Sequence, residues 1–357
     1  MAHVTMPAPA VPKAGPPGRA PQPSRYRGLI LFWAVIGVVV VTGAVTLQVL
    51  GPPAPKIDLA KLVVAAPRPA YYHAIPAPDP ALLAPAPDFV NRFLPVKGPD
   101  GRTPMAVYAA PYDIADKHPR VALVIAGIGQ DLDLSEQVLK TLPGAIDVAF
   151  SAYMDDDRAV KLAELARHNG HECLMSIPME PNGFPTHDEG DRQLTDRLDL
   201  AVNKQNLEWA LSRQTGCVGA TGASDGFMGE RFAQYGGGMP DVLEEVGSRG
   251  LMYFDPATGA PALSQEPGTS IAIADTVIDQ QVKPEEPVTA DVIDQRLAEL
   301  EARAASHGAA IGVAGPPQPV MLQRIAVWAH GLAARGITLV PLTALRPAVK
   351  AADQDGN

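Results

Sequence analysis

The chain has 357 residues and a formal net charge of −10, from 39 acidic and 29 basic side chains. That balance, with no basic stripe anywhere along the chain, excludes a surface built to follow a phosphate backbone, so no nucleic-acid partner is expected. The two cysteines, Cys173 and Cys217, stand at no metal-ligand spacing, which excludes a zinc ribbon.

Residues 1–28 form a Pro-rich tail with Lys13, Arg19, Arg25 and Arg27, and the first acidic residue of the chain is Asp58. From Leu29 to Leu50 the sequence LILFWAVIGVVVVTGAVTLQVL carries no charge. About 22 residues make roughly 33 Å of helix, enough to cross a hydrocarbon core. The run is longer than a signal-peptide core and no small-x-small cleavage site follows before Pro52, so the reading is a retained transmembrane helix. The basic flank orients it with the N-terminus in the cytoplasm and the bulk of the chain outside, periplasmic in a bacterial inner membrane.

Residues 51–118 follow as a Pro/Ala-rich spacer and lead-in, with stretches such as APAPDPALLAPAPDF, and more than half of the 37 prolines precede Tyr112. Residues 1–24 and most of 51–95 are therefore expected to lack regular packing. An ordered domain is expected over 119–346, and a polar tail over 347–357.

Within the ordered region strands and helices alternate. Val121 to Ala126 is an apolar strand, followed by a helix over 134–141 with Asp133 and Glu136 at capping-box spacing. A strand over 146–151 precedes a helix over 157–168 that stops at Gly170, where a left-handed cap fits. Strands over 172–177, 218–220, 251–254, 271–274, 310–313 and 338–340 continue the pattern. Between them lie helices over 200–213, 241–249, 291–306 and 321–334. Parallel strands need helical crossovers, and seven or eight βα units in about 230 residues suit a closed parallel barrel. No G-x-G-x-x-G follows a strand, which removes the support for a dinucleotide fold. Both cysteines fall at strand starts and read first as small buried hydrophobes, with a disulfide between neighbouring strands open in an oxidising compartment.

The stretches Gly101–Ala109 (GRTPMAVYA), Pro119–Gly129 (PRVALVIAGIG), Gly170–Pro181 (GHECLMSIPMEP), Val218–Phe232 (VGATGASDGFMGERF), Gly250–Thr258 (GLMYFDPAT), Ile273–Asp279 (IADTVID) and Ala309–Val320 (AAIGVAGPPQPV) occur in an order and spacing that resembles the divergent polysaccharide deacetylase family. The resemblance covers about Asp79 to Leu345 and implies a NodB-like distorted (β/α)7 barrel acting on carbohydrate. It also implies a divalent metal such as zinc, held by an aspartate pair after the first strand and by two later histidines. Here the aspartate positions match Ala126 and Gly127. Gly226-Phe227-Met228-Gly229-Glu230 stands against Asn-His-Met-Gly-Ser, putting Phe227 at a histidine. Ile311-Gly312-Val313-Ala314 stands against Ile-Gly-His-Pro, so that histidine is also replaced by an apolar residue. No metal cofactor is expected from these residues.

Releasing an acetyl group needs an activated water and an acid for the departing amine, and side chains such as Phe227 and Ala126 supply neither. The carboxylates near strand ends are the remaining candidates: Asp255 and Asp225 for catalysis, and Glu180, Ser224, Asp275 and Asp279 for substrate contact. An oxygen-only set of this kind would favour Ca²⁺ or Mg²⁺ over zinc. The functional expectation is a membrane-anchored periplasmic protein that binds a cell-envelope glycan or oligosaccharide with weak or no deacetylase activity. Two rivals are an envelope scaffold with an unused cleft and an active N-deacetylase with a rearranged carboxylate site.

Overall fold

The computed structural model describes residues 27–50, 74–235, 237–256, 259, 268–279 and 288–345, and within 27–50 the side chains of 31–42 alone. The tails 1–24 and 347–357 named above, and residues 51–73 of the spacer, lie outside the described residues. Contacts divide the chain into two units, 1–57 and 58–357. The first holds one helix, α1 (Arg27–Leu50), which contains the stretch expected to span a membrane and exposes Leu31, Phe32, Trp33 and its run of valines. Among the described residues no helix is long and apolar enough to cross a membrane.

The second unit is a parallel β/α domain. Its strands are β3 (Arg120–Ile128), β4 (Asp147–Phe150), β5 (Cys173–Ser176), β6 (Gly219–Thr221), β7 (Met252–Asp255), β8 (Ser270–Ile273), β9 (Thr276–Val277), β10 (Ala309–Ala314) and β11 (Thr338–Leu339). They form one nine-stranded sheet in the order β8-β7-β6-β5-β4-β3-β10-β9, with β11 paired to the start of β3. Helices α3 (Leu132–Thr141), α4 (Asp156–Asn169), α5 (Leu200–Leu211), α6 (Glu230–Tyr235), α7 (Met239–Ser248), α8 (Ala290–His307) and α9 (Pro319–Gly331) make the crossovers.

The two ends of that order are one piece of chain. β8 pairs with β7, β9 pairs with β10, and only Ala274 and Asp275 separate them. Ala274 N–H donates to the Asp255 carbonyl on one side and Asp275 N–H to the Ile311 carbonyl on the other, at 2.9 and 2.7 Å. The segment 270–277 is therefore a single bent strand that closes the sheet, giving a barrel of β3, β4, β5, β6, β7, β8/β9 and β10. Strand pleating sends alternate residues inward. Ala122, Val124, Ala126, Ala149, Leu174, Met252, Phe254, Ala272, Ile311 and Val313 belong to one apolar cluster that fills the lumen.

Local chemistry sets the element ends. Gly170, at φ +81°, caps α4 in the left-handed region as its sequence predicted. The α3 cap is Asp131, whose carboxylate accepts from Leu134 N at 2.9 Å, and not the Asp133 box expected above. Helix α6 had no signal in the sequence. The lead-in also corrects the spacer reading: β1 (Leu83–Pro85) and β2 (Phe93–Pro95) pair antiparallel, α2 (Pro104–Val107) follows, and Ile75, Leu82, Leu94 and Tyr108 are buried. Within the arm the Tyr108 hydroxyl accepts from Asp79 N at 2.8 Å, and Ile75 N donates to the Arg167 carbonyl of α4 at 3.1 Å, fastening the arm to the domain. Proline-rich composition hid a segment anchored by a few large buried side chains, while others such as Val90 and Ile114 stay exposed.

Cys173 and Cys217 form a disulfide, Cα atoms 4.6 Å apart, at the starts of adjacent β5 and β6. This replaces the reading as two separate hydrophobes. A closed loop spanning 44 residues in sequence stabilises by about 4 kcal/mol on the chain-entropy argument. The Cys217→Ser variant should lose roughly that much stability by denaturant titration. Added reductant should destabilise the parent and leave the variant unchanged.

At the same end of the barrel two carboxyl groups are fully buried. Asp147 Oδ2 accepts from Leu342 N at 2.9 Å, while Glu172 accepts from Ala110 N at 2.8 Å and from the N–H and hydroxyl of Thr343. Together they hold both the N-terminal arm and the C-terminal turn Leu342–Leu345 against the barrel. Burial, and then the neighbouring Glu172 charge, push the Asp147 carboxyl well above its ordinary range, so that it keeps a proton facing Glu172. A raised carboxyl contributes stability that is fully present below its unfolded value and is lost as pH rises through the folded one. Asp147→Asn keeps the acceptor for Leu342 and a permanent donor for Glu172. Its thermal stability should therefore decline less than the parent's between neutral and alkaline pH; parallel curves would show that Asp147 carries no such proton.

Candidate functional site

The C-terminal strand ends gather at one mouth, where chemistry sits in parallel barrels. β3 ends in Ala126-Gly127-Ile128, β4 runs into Ser151 and Tyr153, β5 into Met179 and Glu180, and β6 into the turn Ser224–Phe227. In that turn Asp225 (φ +46°) and Gly226 (φ +99°) are both left-handed. Ser224 and Phe227 exchange backbone hydrogen bonds of 2.9 and 2.6 Å, the tight hairpin that an Asp-Gly pair favours.

The positions that would carry metal ligands are apolar and closely packed. Ala126 and Val313 belong to the lumen cluster together with Ala223, and Met228 packs on it. Gly127 lies at φ +74°, and a Cβ built on it would stand 2.8 Å from Pro316 Cβ. One on Gly226 would stand 3.3 Å from Pro316 Cδ. Pro316, reached through Gly315 after β10, is thus seated against both loops, occupying the space an aspartate at 127 would need. Phe227 stacks obliquely on His187, ring centroids 5.8 Å apart. Neither this donor set nor this packing fits the zinc implied by the family resemblance. Among the described residues no three His, Cys, Asp or Glu side chains converge to hold a metal.

The sequence-predicted residues divide. Asp225 and Ser224 are at the mouth: the Asp225 Oδ2 accepts from Ser151 Oγ at 2.9 Å, and burial raises its carboxyl above the usual range. Asp279 is close by. Its Oδ2 accepts from Gly315 N at 2.9 Å, bracing the loop that carries Pro316, and burial pushes its carboxyl up to about 6. Asp255 ends β7 buried, on the pleat face of Tyr253 rather than that of the lumen residues Met252 and Phe254, so it does not enter the barrel.

Glu180 and Asp275 are corrected. The Glu180 carboxylate, 1% exposed, accepts from Thr195 Oγ1 and pairs with Arg197 at 2.9 Å and with Arg231, leaving no face for a substrate. It is the knot that joins the β5 loop to α6. Asp275 Oδ2 accepts from Ile311 N at 2.9 Å at the bend of the closing strand, and its other oxygen lies 4.0 Å from Arg303 on α8. It braces the barrel wall.

Residues with no sequence signal complete the mouth. Glu189, in the polar loop after β5, is 6% exposed, with both carboxylate oxygens buried beside the Ser224 hydroxyl and the Met179 N–H. Burial drives it well above its ordinary range, with the Asp225 charge adding to the effect. Tyr153, 42% exposed, lies 5.2 Å from Trp209 between ring centroids and accepts from Arg192 N at 3.1 Å. Arg192 and Arg213 stand over the Trp209 ring at 5.8 and 5.5 Å. The Asp-Gly turn was legible as a dipeptide; Glu189 and Tyr153 follow no periodicity and become neighbours only through the barrel.

Comparison with known proteins agrees with this architecture. The structure of the uncharacterized protein ATU2773 from Agrobacterium tumefaciens C58 is similar with a TM-score of 0.63 and 30% identity, over 71% of this chain and 99% of that one. The catalytic domain of peptidoglycan N-acetylglucosamine deacetylase from Eubacterium rectale ATCC 33656 is a weaker likeness, TM-score 0.39 and 17% identity, over 69% of this chain and 98% of that one. No curated protein matches significantly. The model of the divergent polysaccharide deacetylase family matches residues 123–346. With the matching motifs, the closed parallel barrel and the similarity to ATU2773, the chain belongs to the divergent polysaccharide deacetylase family.

Proposed function

We propose that this protein binds an envelope glycan at the barrel mouth without hydrolysing it by metal chemistry. The observation that carries the reading is Pro316 seated between Gly127 and Gly226, with Ala126 and Val313 apolar beneath it. A water activated for amide hydrolysis at neutral pH needs a Lewis acid or a well-placed base, and this part of the mouth offers neither. Family membership supports carbohydrate as the ligand class. The half-exposed Tyr153 beside Trp209, with Arg192 and Asp225 near, supplies an aromatic face rimmed by polar groups, the chemistry that takes up a sugar ring. Carboxylates at Asp225 and Asp279 remain at the mouth for hydroxyl contacts, which is also what the rival reading, a rearranged carboxylate hydrolase, would use.

The test is direct. The purified protein should bind chitooligosaccharides or peptidoglycan fragments in calorimetry, with at least a tenfold loss in Tyr153→Ala. It should release no acetate from them and hold no zinc after dialysis. Acetate release abolished by Asp225→Ala or Asp279→Ala would replace this reading with the rearranged hydrolase.

The same proposal includes the location: a single-pass inner-membrane anchor at Leu29 to Leu50 with the barrel in the periplasm. The uncharged run and its basic N-terminal flank support it. So does the Cys173–Cys217 disulfide, a bond that persists in oxidising compartments. An alkaline phosphatase fusion after Asn357 should be active in a Gram-negative host; activity of only a cytoplasmic reporter at that position would refute the topology.

A further inference from the structure

We propose that Glu189, Asp225 and Ser224 form a calcium site at the barrel mouth, with a donor set different from the one the family resemblance implies. The inference does not depend on the glycan reading. Four oxygens, Glu189 Oε1 and Oε2, Asp225 Oδ1 and Ser224 Oγ, are buried and make no hydrogen bond of good geometry among the described residues, although the Met179 N–H stands near Glu189 and Gln130 near Asp225. Ser224 is 0% exposed and its hydroxyl lies beside the Glu189 carboxylate, outside hydrogen-bond geometry. These atoms share one place because both loops clamp the same segment after β4. Asp225 is held by Ser151 at 2.9 Å, and the Glu189 loop is held by the Tyr153 hydroxyl through Arg192 N at 3.1 Å.

Buried polar atoms are almost always satisfied, and an orphaned buried carboxylate is costly. Here four orphans sit together, two of them on one carboxylate. Among the described residues no protein cation answers them. Arg197 and Arg231 are paired with Glu180, Arg231 reaches Asp196 at 3.5 Å, and Arg192 lies over Trp209 and donates to Asn206 at 3.3 Å. His187 faces Asn182 O and Phe227. The remaining charged neighbours, Glu230 and Asp191, add negative charge.

Two carboxylates match a divalent ion in charge. Oxygen donors without imidazole or thiolate select a hard cation over zinc. Magnesium dehydrates reluctantly and keeps several waters, whereas calcium accepts irregular sets of carboxylate, hydroxyl and carbonyl oxygens. A site this enclosed favours calcium.

The experiment uses the full-length chain in detergent, stripped with chelator and then titrated with CaCl₂ or MgCl₂ while thermal stability and heat of binding are recorded. Calcium should bind with a Kd of about 10⁻⁵ to 10⁻³ M and raise the melting temperature by several degrees, magnesium much less. Terbium should bind in its place and luminesce through excitation of Tyr153, with calcium displacing it. Glu189→Gln should keep the fold and lose the calcium response. Ser224→Ala should keep the fold and bind calcium at least threefold more weakly. No calcium response at about 5 mM, well above the expected Kd, or a response undiminished in Glu189→Gln, would overturn the site. A fall in stability with rising pH that is present in the parent, absent in Glu189→Gln and indifferent to calcium would overturn it too, since protons would then satisfy the pair.

Discussion

Everything at the mouth depends on how the barrel closes. A parallel sheet left open would present its strand ends in a row, and side chains from β3, β4, β5 and β6 would not face one another across a centre. Closure is made by the bend at Ala274-Asp275, where successive N–H groups donate to opposite neighbours, Asp255 and Ile311. The Asp275 carboxylate takes the Ile311 N–H in addition, so the strand that changes partner leaves that donor satisfied at the bend. A polar residue that looked like a substrate contact in the sequence is there to make a wall continuous.

With the wall closed, small residues decide what the mouth can hold. Gly127 and Gly226 leave room, and Pro316 takes it. Gly315 permits that approach, since a Cβ there would stand 2.3 Å from the Ala126 carbonyl oxygen. Asp279 then fixes the loop through Gly315 N. Ala126, Gly127 and Gly226 are therefore packed as one unit with the Gly315-Pro316 turn. Restoring an aspartate at Gly127 alone would meet both Pro316 and a left-handed backbone, each unfavourable by about 1 to 3 kcal/mol.

Much of the fold was legible because it rests on local rules. Apolar runs such as Val121 to Ala126 marked strands, and Gly170 marked a helix end. The alternation of the two implied parallel crossovers. The site was legible only where a local pattern carried it, as in the Asp225-Gly226 turn. Glu180 misled because a carboxylate after a strand reads the same whether it meets solvent or two arginines, and its partners Arg197 and Arg231 are distant enough in sequence to give no pattern. The disulfide was hidden for the same reason: strand starts brought Cys173 and Cys217 to one edge only after the intervening helix folded back. The arm at 74–118 was misread because proline content reports backbone stiffness, while its burial rests on Ile75, Leu82, Leu94 and Tyr108 finding a surface contributed by the rest of the domain.

The two buried carboxyl pairs in this barrel make the sharpest contrast within the molecule. At the base, Asp147 and Glu172 divide the N–H groups of Leu342, Ala110 and Thr343 and the Thr343 hydroxyl between them, and the oxygen left over on Asp147 faces Glu172, where a shared proton fits. Asp147 Oδ1 meets no N–H or hydroxyl donor, so that pair is satisfied only through the proton it shares, and its job is to hold the chain ends. At the mouth, Glu189 is buried and Asp225 partly so, and among the described residues three of their four oxygens meet no donor in hydrogen-bond geometry, with the neighbouring Ser224 hydroxyl unmatched as well. One scaffold thus shows both what a structural carboxyl pair looks like when folding alone has satisfied it and what one looks like when something else must. The difference lies in the donors, not in the carboxyls, and it locates the incomplete pair at the end of the barrel where the loops leave a ligand room to arrive.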